Sequence, residues 1–140
     1  MPVGGQAAQL KALRAIPLFG GLSDAALRRI GKIANEVEVV AGQVLMQPDM
    51  AGSGLCVLEE GTVVVERGSR RFELGPGEFF GDLALLTGEA VHAARVRALT
   101  PVRMLAIRRE DFLKLLTDQP KIAVTMVGIL AQRLADTVKG

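Results

Sequence analysis

Leu10, Leu13 and Ile16 recur at the spacing that gathers apolar side chains on one helix face, and Pro17 ends that run. Ser23 offers a hydroxyl to cap a second helix, with Leu22 and Leu27 placed to staple across its first turn. Leu27, Ile30 and Ile33 continue the buried stripe. From Val37 to Ile107 the period changes to short β-rich runs, separated by glycine-bearing turns at Gly42, Gly52 to Gly54, Gly61, Gly68 and Gly75 to Gly77. The predicted strands are Val37–Val40, Val44–Gln47, Gly54–Leu58, Thr62–Glu66, Arg71–Leu74, His92–Ala98 and Val102–Ile107, and their close spacing suggests a roll or barrel. Arg109–Thr117 reads as a helix with Glu110 and Asp111 in its first turn, where the helix dipole favours acids. Pro120 then opens a last helix on which Met126, Leu130, Leu134 and Val138 recur every four residues, Ala123 and Val127 widening the apolar face. Packing against the roll is the first expectation for that face, and a dimer contact or ligand lid the second.

A chain of 140 residues suits a single domain spanning 1–140, with helices over 8–35, the β-region over 36–108 and C-terminal helices over 109–138. Seventeen basic residues against fifteen acidic ones make a mixed surface, too balanced to argue for nucleic acid. Tryptophan and tyrosine are absent, which counts against stacking of single-stranded bases. One cysteine, Cys56, and one histidine, His92, leave neither an internal disulfide nor a zinc cluster, so no metal is expected. Cys56 reads as a small buried hydrophobe. The opening residues lack the pattern of a secretory signal and no stretch reaches the roughly eighteen apolar residues of a membrane span, so a cytoplasmic location is expected. Arg67, Arg70 and Arg71 around Gly68 read as a solvated hairpin.

The strand pattern breaks between Glu78 and Glu89. There Phe79, Phe80 and Gly81 precede Asp82, Leu83, Ala84, Leu85 and Leu86, a glycine-led start to a short helical turn. Unpaired amides at a helix N-terminus, with the positive end of its dipole, make a place for one phosphate.

The order of elements around this segment resembles the cyclic nucleotide-binding family over nearly the whole chain. The resemblance begins at Ile16-Pro17-Leu18-Phe19 and Leu22-Ser23, passes through Ala41-Gly42 and Gly61, and tightens from Gly75 to Leu86. It resumes at Val96-Arg97-Ala98 and runs through Arg109-Glu110-Asp111-Phe112. It implies an eight-stranded antiparallel β-roll, jelly-roll-like, with N-terminal and C-terminal helices and a phosphate-binding cassette. It further implies a sensor for a cyclic nucleotide, cAMP more readily than cGMP, rather than an enzyme; no catalytic residue and no other cofactor is expected. The implied ligand-binding positions are Phe80, Gly81, Asp82, Leu83, Ala84, Leu85, His92, Ala93 and Ala94.

Two departures weaken the implied cassette. Asp82 stands where the family usually has a glutamate for the ribose hydroxyl, and its carboxylate stops about one C–C bond, ~1.5 Å, short. Capping the helical turn is an equal claim on it. Downstream, no arginine occupies the position where the family usually grips the phosphate. Counting back from Val96 puts Val91 at the usual proline, His92 at the arginine, Ala93 and Ala94 at the small pair and Arg95 at the threonine. Counting forward from Gly88-Glu89 puts Ala90 and Val91 in the proline and arginine places and leaves one extra residue. Losing one partner of a buried charged pair costs roughly 2–5 kcal/mol, about thirty-fold to several thousand-fold in affinity. Arg95 could supply the charge only through a bulge, since on a regular strand it points away from the face of His92. Asp49-Met50, in the turn after the second strand, also departs from the family's glycine-aspartate.

Two functions therefore stay open. One is a regulatory domain that binds cyclic nucleotide and relays occupancy to its C-terminal helix. The other is a degenerate member of the fold that no longer binds nucleotide and meets a homodimer or protein partner through that helix.

Overall fold

The structure, a computed structural model, describes residues 5–47, 54–82, 86 and 94–139. Helix α1 (Gly5–Arg14) leads into a single 3-10 turn (Pro17–Phe19) and helix α2 (Asp24–Ile33). Ser23 caps α2, its hydroxyl accepting the Ala26 amide at 3.2 Å, and Leu22 and Leu27 are both buried beside it. Pro17 does stop the first helix, but it also starts the turn that follows. Its missing N–H and fixed φ suit a first helical position.

Eight antiparallel strands then form two four-stranded sheets. One has the order β1 (Asn35–Val39), β8 (Val102–Arg108), β3 (Gly54–Glu60), β6 (Phe79–Phe80). The other runs β2 (Val44–Met46), β7 (Arg95–Ala98), β4 (Val63–Arg67), β5 (Arg70–Leu74). The fold is the eight-stranded β-roll with helices at both ends. Seven of these strands coincide with the runs expected from the sequence; β6 does not, because two residues are too few to show an alternation. β6 exists through its partner: Phe80 and Phe79 register with Cys56 and Val57 of β3.

Helices α3 (Arg109–Asp118) and α4 (Pro120–Lys139) close the chain. Strand alternation sends side chains of the first sheet into two separate cores. Leu55, Val57, Phe79, Leu105 and Ile107 pack against Phe19, Leu27, Ile30, Phe112, Leu115, Ile122 and Met126 of the helical elements. Leu58, Phe80, Val102 and Met104 face the roll interior with Val63, Val65, Leu74, Val96 and Ala98. Neighbouring rings on β6 thus enter different cores.

The stripe expected on α4 is buried only in its first half. Ile122 and Met126 are core residues and Leu130 is partly buried, while Val127, Leu134 and Val138 are exposed.

Candidate functional site

The segment leading to the expected cassette is held to β3 by its backbone. The Gly77 amide donates to the Leu58 carbonyl and the Leu58 amide to the Glu78 carbonyl, each at 2.8 Å. The Glu78 carboxylate accepts the Gly75 amide at 2.8 Å and closes the turn before β6. Gly81 follows with φ +90°, and a Cβ there would stand 2.4 Å from the Gly54 carbonyl oxygen. Both the dihedral and the close approach require glycine.

A cavity of about 1110 Å³ opens beside this segment. Val65, Leu74, Phe80, Ala94 and Val96 give it an apolar wall from both sheets, and Gly81 and Asp82 line it at the end of β6. Helix α4 contributes Leu130, Arg133 and Leu134, and the β4–β5 hairpin contributes Arg67, Arg70 and Arg71. An apolar wall faced by polar groups is a usual form of small-molecule site, and the volume lies just above the ~300–1,000 Å³ common for such sites.

Asp82 is buried, 7 % exposed, which is unusual for an aspartate without a partner. Its partner is Arg133, whose Nη1 lies 3.4 Å from Asp82 Oδ1. That separation makes an ion pair more than a hydrogen bond. The other arm is firmer: Nη2 donates to the Phe79 carbonyl at 2.7 Å. The guanidinium also lies over the Phe79 ring, its carbon 4.4 Å from the centroid, in cation–π contact. One side chain of α4 therefore touches the backbone, ring and carboxylate that bracket Gly81.

Of the expected ligand-binding residues, Phe80, Gly81, Asp82 and Ala94 come together around the cavity. Arg95 is exposed on β7 in register with Glu66, while its neighbours Ala94 and Val96 line the cavity. Leu83, Ala84, Leu85, His92 and Ala93 lie outside the described residues, as do Asp49, Met50, Ala90 and Val91. Arg133 was absent from the sequence reading. Its signal was there, because it follows Met126 by seven residues, two helical turns, and so falls on the buried side of α4 where a charge needs a reason. Cys56, across from Phe80, packs on the roll core, and burial pushes its thiol up to about 11, which leaves it unreactive at neutral pH. Among the described residues no group of three or more His, Cys, Asp or Glu side chains could hold a metal ion, and no helix is long and apolar enough to cross a membrane.

A β-roll with a solvent-reaching cavity between the end of β6 and helix α4 has the form in which small molecules are usually held. Residues 36–119 match the cyclic nucleotide-binding domain, and the chain belongs to that family. It is 37 % identical over 112 residues to a cyclic nucleotide-gated potassium channel of Rhizobium etli, a match covering 80 % of this chain and 31 % of the channel. The chain thus spans about a third of the length of that relative. The catabolite activator protein of Thermus thermophilus superimposes with a TM-score of 0.75 at 29 % identity, covering 86 % of this chain and 59 % of that one. A cAMP-binding acyltransferase of Mycobacterium smegmatis superimposes with a TM-score of 0.78 at 26 % identity, covering 94 % of this chain and 42 % of the acyltransferase.

Proposed function

We propose that this domain is a regulatory module that takes a cyclic nucleotide, cAMP in preference to cGMP, and passes its occupancy to α4. The supporting observation is the cavity itself, which is lined at once by the β6 end, Phe80, Gly81 and Asp82, and by α4. In this reading the phosphate sits on the Gly81 side, and Phe80, Gly81, Asp82, Leu83, Ala84, Leu85, His92, Ala93 and Ala94 are the ligand-binding positions. A ligand there touches both the roll and the helix, so its affinity depends on where the helix lies. The role is regulatory rather than catalytic. The names of the relatives fit that division, since the acyltransferase is described as cAMP-binding and is matched over less than half of its chain.

Calorimetric titration of the domain with cAMP and with cGMP tests this. Saturable heat with cAMP, and a weaker response with cGMP, is the expected result. No heat and no chemical-shift change with either nucleotide at millimolar concentration overturns it.

A second reading, an interaction module that pairs two copies of the chain, is favoured by a different observation. Val124, Val127, Leu134 and Val138 of α4 are large apolar side chains left exposed. They share a line with exposed Ala131 at alternating spacings of three and four, the heptad pattern by which two helices pack along one seam.

A further inference from the structure

We propose that Arg133 is the cation that holds the phosphate of the ligand, supplied by α4 in place of the arginine that the cassette lacks; this rests on the nucleotide-binding reading above. An anionic ligand beside Gly81 meets a buried carboxylate at Asp82, and like charges in a half-desolvated pocket repel. The guanidinium of Arg133 lies 3.4 Å from that carboxylate and offsets its charge, with donors to spare.

Those donors are available by count. A guanidinium has five N–H groups, of which one points to Asp82 and one to the Phe79 carbonyl. The Phe79 ring beneath fixes the plane of the fork, so little side-chain freedom is left to lose when an anion arrives. The other arginines lining the cavity are placed differently. Arg67, Arg70 and Arg71 are exposed on the β4–β5 hairpin, and of the four arginines Arg133 is the one that bonds the Phe79 carbonyl and pairs with Asp82.

Delivery from α4 has a consequence that a cassette arginine lacks. Beyond Met126 the apolar side chains of α4 are partly buried at Leu130 and exposed at Leu134 and Val138, so the bonds of Arg133 anchor the distal half of the helix to the roll. Phosphate binding and helix position then act through one side chain, and by linkage each alters the other.

The test is titration of the whole chain with cAMP at low and high salt, for the native sequence, Arg133→Ala and Arg133→Lys. Arg133→Ala is expected to weaken binding by about tenfold or more and to flatten its salt dependence, because the lost contact is a charge-assisted one. Arg133→Lys keeps the charge without the fork, and is expected to fall between the two in affinity while keeping the salt dependence. Should Arg133→Ala fail to fold, the lysine variant decides alone. Native affinity in Arg133→Ala overturns the proposal, as does an Arg133→Lys protein that loses the salt dependence. A native chain that binds no cyclic nucleotide removes this proposal together with the reading it rests on, whereas native binding indifferent to Arg133 removes this proposal only.

Discussion

Single residues set the conditions at the site. Gly81 combines a positive φ with a contact that leaves no space for a methyl group, so Gly81→Ala is expected to cost ~1–3 kcal/mol in backbone strain alone, with the forced shift of Gly54 added. Chemical denaturation would register this as a lower midpoint, and cAMP affinity should fall with it because Asp82 is the next residue. A native midpoint in the alanine variant would show that the turn is not held in this form. On the far side of the same sheet, Glu59 has its carboxyl raised above the ordinary value of 4.5, first by burial, then by Glu36, with Glu60 adding to the rise and Arg103, 3.7 Å away, opposing it. A raised carboxyl binds its proton more tightly folded than unfolded, so stability falls as pH rises from the unfolded value through the folded one. Glu59→Gln is therefore expected to raise the Tm at neutral pH, with the difference closing below pH 4.5. A gap that widens in acid would contradict the assignment.

At the scale of elements, the exposed seam of α4 makes the sharpest claim. The positions flanking it, Ala123, Gly128, Leu130, Ala135 and Thr137, carry no charge, so two copies meet without the repulsion that e and g positions often impose. Sedimentation should find a dimer that Val127→Glu converts to a folded monomer, since Val127 is 65 % exposed and takes no part in either core. A monomeric native chain would discard the pairing. Much of this level was legible in the sequence: the Ser23 cap, the strand series from β1 to β5, β7 and β8, and the two C-terminal helices all follow from local pattern. β6 was not, because two residues paired to a distant strand leave no periodic trace. Arg133 escaped for a related reason. Its partners lie 51 and 54 residues away, and no local rule joins a helix charge to a strand end so remote.

Across the whole molecule, the candidate site lies where the outer strands of the two sheets, β6 and β5, come to an end beneath α4. The approach to the expected cassette was legible because glycine and the adjoining aromatic pair are rigid local requirements, whereas the charge balance of the pocket depends on tertiary folding. Consider again the two rings on β6. Phe79 is wedged among the helices and Phe80 among the strands of the roll, with a single peptide bond between them. Because the two side chains leave the strand on opposite faces, a displacement of β6 across the sheet that drives one ring deeper into its core would draw the other out of its own. A molecule settling on Gly81 would in this way press on both halves of the protein in a single stroke.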